Sequence, residues 1–115
     1  MGLFDPTQNL LDGAMSGASL RQSLLANDIA NANTPGFKRS DLDFHAALAQ
    51  AADSGAPPEF SPVQDSATSL RADGNNVDID AEMANLSENA VEYEALVSVA
   101  KTRLGMLQNV IGGGR

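Results

Sequence analysis

The chain has 115 residues, 43% of them hydrophobic but only 4% aromatic, with four Phe, one Tyr and no Trp. With so few bulky side chains, Ala, Leu, Val, Ile and Met are expected to form helix surfaces that pack on one another in an elongated single domain, mainly α. A net charge of -8 has the wrong sign for neutralising phosphates, the lack of Cys removes disulfide and thiolate chemistry, and no apolar run approaches the roughly 20 residues of a membrane-spanning helix.

The opening residues Met1-Gly2-Leu3-Phe4-Asp5-Pro6 lack the basic start and apolar stretch of a cleaved signal. The chain is therefore expected to be soluble when made and, if it leaves the cytoplasm, to do so without a removable signal. A helix start follows at once: Asp5 supplies an acceptor side chain at the N-cap, Pro6 takes the first helical position and Gln8 lies three residues after the cap. Phe4, Leu11, Met15, Ala18, Leu25, Ile29 and Ala32 then fall on one stripe, interrupted by Gln8 and Gln22. The pattern predicts a helix over about residues 6 to 32, stopped at Asn33-Thr34-Pro35-Gly36. Gly13 and Gly17, four apart, each cost about 1 kcal/mol relative to Ala. Either another backbone approaches closely there, or the first turns are loosened until a partner packs on them.

The middle segment, 37–77, is expected to be irregular. Residues 43 to 50 read as a short helix, Ser54-Gly55-Ala56-Pro57-Pro58 as a linker, and Val63, Ser69-Leu70-Arg71 and Val77 as short strand pieces, with Asp73-Gly74-Asn75-Asn76 as a turn. No internal repeat is present.

The last segment, 78–115, carries the strongest periodicity. Ile79, Met83, Leu86, Ala90, Tyr93, Val97, Ala100, Leu104, Leu107 and Ile111 alternate spacings of four and three, the pattern of a coiled-coil seam. Asp78 or Asp80 caps its start, Glu82 adds negative charge there, and Gly112-Gly113-Gly114 stops it. A single helix of this length is marginal in water. Its seam is expected to zip against the stripe of the N-terminal helix as a coiled-coil-like pair. Val91, Leu96 and Val99 on one helix, and Leu10, Leu20 and Leu24 on the other, lie off these stripes and offer apolar material for lateral contacts.

Catalytic chemistry finds no footing. His45 is the lone histidine, with no Cys or second His for a nucleophile pair or zinc site. Asp41 with Asp43, and Asp78 with Asp80, precede predicted helices and read as caps. The run from Asp73 to Asp78 resembles a calcium loop but lacks Gly at the sixth position and Glu at the twelfth. Asn85-Leu86-Ser87 matches a glycosylation sequon only by letter, since Leu86 is on the seam. No phosphate-cradling glycine pattern follows a strand. Hence no catalytic, cofactor or metal residue is assigned, and neither nucleic acid nor a small-molecule substrate is expected.

One motif remains. Ala26-Asn27-Asp28-Ile29-Ala30-Asn31-Ala32-Asn33-Thr34-Pro35-Gly36-Phe37-Lys38 resembles the N-terminal signature of flagellar rod and hook proteins. Physically it works as a corner: Pro35 blocks the helix and biases Thr34 toward extended geometry, Gly36 permits a sharp turn, and Phe37 anchors the new direction. The run from Asp73 to Asp80 with Glu82-Met83, and Tyr93-Glu94-Ala95-Leu96, resemble the proximal-rod branch of that family; residues 50 to 68 carry no motif. Asp28 departs from the pattern, which commonly has Asn there.

The resemblance implies a structural subunit and not an enzyme. It implies export without a cleaved signal by the flagellar type III apparatus, and polymerisation in the periplasm into the basal-body rod, with itself, other rod proteins and a hook-basal-body adaptor as neighbours. In that setting Asn27 and Asn31 would make amide hydrogen bonds between subunits, while Asn33 is expected to cap its helix. The competing reading is a coiled-coil adaptor that binds one partner helix through residues 79 to 111.

Overall fold

The computed structural model describes residues 5–113; Phe4 of the first stripe and Gly114 of the terminal stop lie outside the described residues. Three helices and one minimal sheet occur in the order α1 (Pro6–Ala30), β1 (Ser40–Asp41), α2 (Phe44–Ser54), β2 (Val63–Gln64) and α3 (Ile79–Gly113). The mainly helical architecture with two long terminal helices and an irregular middle agrees with the sequence reading. No helix among the described residues is long and apolar enough to cross a membrane.

Local chemistry explains the element ends. Asp5 caps α1 by accepting from the Gln8 amide at 2.8 Å, with Pro6 at the first position. Asp43 caps α2, and Gly55 closes it in the left-handed region at φ 75°. Asp78 caps α3, its Oδ1 accepting from Asp80 N at 3.0 Å and Ala81 N at 3.3 Å. Asp41 is not a cap: its carboxylate takes the Arg21 guanidinium at 3.0 and 3.3 Å. The sheet is one antiparallel pairing, Ser40 with Gln64 and Asp41 with Val63. Leu70, Arg71 and Val77 are not in strands, because the backbone around them is spent on the turn Arg71–Asn75 and on contacts to the first corner.

The molecule is long and thin, 68 × 25 × 14 Å with a radius of gyration of 17.9 Å, against roughly 13 Å for a compact chain of this size. At 1.5 Å per residue the 35 residues of α3 span about 52 Å. The helix runs antiparallel along α1, so that Arg103 reaches back to Asp5 at 2.7 Å and to Gln8 at 2.9 Å. Ala14, Ala18 and Phe44 form the centre of the core, with Leu48, Phe60 and Leu96 packed around them.

The glycines of α1 are explained by this core. A Cβ on Gly13 would collide with the Pro58 ring, and one on Gly17 with the Phe60 ring. The close approach is thus real, but it comes from side chains of the middle segment and not from another helix backbone. Phe60 in turn stacks on Phe44, ring centroids 5.6 Å apart.

Candidate functional site

Beyond Ala30 the chain turns through the Asn-Thr-Pro-Gly corner. Asn31 sits at the helix C-cap, its Nδ2 donating to the Asn27 carbonyl at 2.9 Å and to Asn27 Oδ1 at 3.2 Å, while Thr34 Oγ1 donates to Asn31 Oδ1 at 3.1 Å. Asn31, not Asn33, therefore closes the helix; Asn33 is exposed. The reason is geometric: α1 ends two residues before the reading placed its end, and the Asn31 side chain folds back one turn onto the Asn27 carbonyl that its own backbone N–H also reaches. Asn31 already has partners inside the chain, so of the two amides Asn27 is the more open.

The corner is held by the second turn, from Arg71 to Val77. Gly36, at φ 75°, donates its N–H to the Asp73 carbonyl at 2.8 Å, and Gly74, at φ 84°, packs against it so closely that a Cβ on Gly74 would lie 3.4 Å from Gly36 Cα. Asn75 is fully buried; its Nδ2 donates to the carbonyls of Asn31 (2.9 Å) and Thr34 (2.8 Å), and its Oδ1 accepts from Val77 N at 2.6 Å. Asn76 accepts from Arg39 N at 2.7 Å and donates to the Asp65 carbonyl at 2.9 Å. Arg71 donates to the Ala32 and Val77 carbonyls, and Lys38 Nζ to those of Gly36 and Gly74. The carbonyls of Asn31, Ala32 and Thr34, which lie where the helix breaks, thus find side-chain donors here.

Beside the clamp lies a cluster of charges. Arg39 pairs with Glu82, with Asp65 at 3.1 Å and with Asp41 at 3.5 Å. Burial works against its charge, but the hydrogen bonds it donates to Glu82 and Asp65 outweigh it and hold the guanidinium firmly protonated. The Asp65 carboxyl is held well below the ordinary carboxylate range by the Thr68 hydroxyl, then by the Ala67 and Thr68 amides. Asp28, 1% exposed, accepts from Ser40 N at 3.0 Å; burial pushes its carboxyl up to about 6, and Glu82 adds to the rise.

The face that α3 turns to the rest of the chain differs from the predicted seam. Glu82, Asn89, Leu96 and Arg103, seven residues apart, make the contacts: Glu82 to Arg39, Asn89 to the Ala18 carbonyl and Gln22 Oε1 at 2.8 Å each, Leu96 to the core, and Arg103 to Asp5. Of the predicted seam, Leu86, Ala90, Val97, Ala100 and Leu107 are half-buried at the margin of this face. Ile79, Met83, Tyr93, Leu104 and Ile111 are exposed, the last at 79%. The stripe-to-stripe pairing is corrected accordingly: three polar anchors with partners waiting on other elements rotate α3, leaving its apolar stripe largely uncovered. Val91, Val99, Met106 and Val110 add to the exposed apolar surface, whereas Leu96, expected to serve lateral contacts, is half-buried against the core. An apolar groove of about 420 Å³ continues it between Leu10, Leu11 and Ala14 of α1, Leu48, and Leu96 and Met106 of α3.

His45 pairs with Glu92, Nε2 to Oε1 at 3.0 Å, and its ring meets that of Phe44 edge-on. Among the described residues no group of His, Asp and Glu could hold a metal ion. Sequence reasoning missed Asn75, Asn76, Arg71, Arg39, Glu82 and Asn89. Two adjacent Asn after Asp-Gly, and the single basic pair of an acidic chain directly after the corner, were the signals available.

Two long helices, a clamped corner between them and an open apolar helix face define a structural subunit of a helical assembly. The family model for flagella basal body rod proteins matches residues 9–38, which include the corner. The flagellar basal body rod protein FlgB of Bacillus subtilis is 33% identical over the whole of both chains. FlgB of Borrelia hermsii is 32% identical over 86% of this chain and 90% of its own, and that of Salmonella typhimurium 30% identical over 88% and 89%. The chain belongs to the FlgB family of flagellar basal body rod proteins.

Proposed function

We propose that the chain is a non-enzymatic building block of the flagellar basal-body rod, in its proximal part, and that it polymerises through α1 and α3. The observation that carries this is the uncovered stripe of α3: Ile79, Met83, Tyr93, Leu104 and Ile111 stay exposed although both long helices are already paired. Surfaces of this kind are stable in water only when another protein covers them. Where this surface meets a different face of a second copy, the contact is heterologous and propagates into an open helical polymer instead of closing as a dimer. Leu86, Ala90, Val97, Ala100 and Leu107 complete the contact surface. In this reading Asn27 bonds to neighbouring subunits, while Asn31, Asn33, Thr34, Pro35, Gly36 and Phe37 set the angle at which the middle segment leaves the tube wall.

The remaining parts of the proposal follow from family membership. The subunit is exported without a cleaved signal by the flagellar type III apparatus, assembles in the periplasm, and contacts other rod proteins and a hook-basal-body adaptor. Deleting the gene and imaging basal bodies tests this: rods should be missing and swimming lost, with rescue by the intact gene but not by a Leu104→Asp, Ile111→Asp double variant that still folds. Intact rods in the deletion strain refute it. A purified chain that forms only a closed dimer at every concentration would instead favour an adaptor.

A further inference from the structure

Around the end of α1, four carboxyl groups, Asp28, Asp41, Asp65 and Glu82, share two guanidinium groups, Arg21 and Arg39. Fully ionised, four negative charges against two positive leave the cluster at a net -2. The hydrogen bonds are unevenly distributed. Asp41 takes Arg21 on both oxygens, Asp65 takes Arg39, Thr68 and two backbone amides, and Glu82 takes Arg39 on Oε1. Asp28 receives only the Ser40 amide. Two oxygens, Asp28 Oδ2 and Glu82 Oε2, are buried with no partner at all.

A bare buried carboxylate oxygen is costly, and the influence of Glu82 on Asp28 adds like-charge repulsion to that cost. One proton repairs both defects, because a protonated carboxyl becomes a donor to the other's lone pair. We propose that Asp28 and Glu82 form a proton-binding site in which Asp28 is the acid, its Oδ2–H directed at Glu82, and that this bond ties α1 to the first turn of α3. The proton is assigned to Asp28 on geometry: Arg39 is bonded directly to Glu82, whereas no cation is bonded to Asp28. The upward shift of the Asp28 carboxyl, caused first by burial, agrees with this assignment.

The site makes the junction sensitive to weak acid. A group with a raised folded-state pKa contributes stability that is fully present below its unfolded value and lost as pH rises through the folded one. For Asp28 the window runs from 3.8 to about 6. The test uses the full chain labelled with 13C at its carboxyl carbons, Asp28 being assigned by the signal missing from Asp28→Asn. The Asp28 carbon should titrate near 6, and the melting temperature should rise as pH is lowered from about 7.5 to about 5.5. Asp28→Asn, whose amide can donate to Glu82 at every pH, should lose that rise and melt higher than the parent at about pH 7.5. His45→Gln, which removes the imidazole that faces Glu92, is the control; it should keep the rise. An Asp28 midpoint near the ordinary carboxyl value, an undiminished rise in Asp28→Asn, or its loss in His45→Gln overturns the proposal.

Discussion

Asn75 gives the sharpest test of the idea that the second turn holds the corner. Its side chain makes three hydrogen bonds between 2.6 and 2.9 Å while fully buried. Asn75→Ala removes all three; the Thr34 and Phe37 amides still donate to the carbonyls of Asn31 and Thr34, at 3.0 and 3.2 Å, so the Val77 amide is the group left without its partner. An unsatisfied buried amide costs about 1–3 kcal/mol and each of the two other lost hydrogen bonds about 0.5–1.5 kcal/mol, so a net loss of about 2–4 kcal/mol is expected. Asn75→Asp is more telling. It keeps the acceptor for Val77 but turns a carboxylate oxygen toward two carbonyl oxygens, so it should cost at least as much as Asn75→Ala despite its nearly identical shape. Urea denaturation followed by circular dichroism measures both. A loss under about 1 kcal/mol for Asn75→Ala, or an aspartate variant as stable as the parent, would show that the corner stands without the clamp.

Three further outcomes follow from the packing and the charges. Gly17→Ala should destabilise by about 1–2 kcal/mol through its collision with Phe60, whereas Gly105→Ala, with open space around it, should stabilise by about 1 kcal/mol through helix propensity; thermal melts decide the signs. Arg39→Gln should cost about 3–5 kcal/mol because Glu82, 1% exposed, loses its cation, and adding Glu82→Gln should recover part of the loss in a double-mutant cycle. Below pH 3.8 stability should fall, since Asp5, held down first by the Gln8 amide, and Asp65, held down first by the Thr68 hydroxyl, bind protons less readily folded than unfolded. Asp65→Asn should flatten that acid limb in melts recorded between about pH 2 and 4.

Much of the framework was legible because it is written in local chemistry. Asp5-Pro6, Asp43 and Asp78 act on amides two or three residues away, and the corner motif bends its own backbone; neither needs knowledge of distant chain. The α3 contact face was not legible for the opposite reason. A stripe count rewards apolar side chains, but Glu82, Asn89 and Arg103 are buried or half-buried by partners found only in three dimensions: an arginine after the corner, a helix carbonyl and a helix cap. The segment without a motif, residues 50 to 68, proved to carry Pro58 and Phe60, whose importance depends on two glycines some forty residues earlier. The Asp28 departure from the family pattern was visible, but its burial beside Glu82 was not.

The clamp on the corner also sets an order of events along the chain. The residues that fix the exit from α1 are Arg71, Asn75 and Asn76, roughly forty positions downstream of the turn they secure. Until they arrive, the carbonyls of Asn31 and Thr34 have only the local amides of Thr34 and Phe37 and that of Ala32 lacks its arginine, and closing a loop of that length costs entropy before any bond rewards it. A chain that emerges N-terminus first thus carries an α1 whose direction of exit is undecided, and the angle is set in one late step, when residues 71 to 77 dock and α3 can begin.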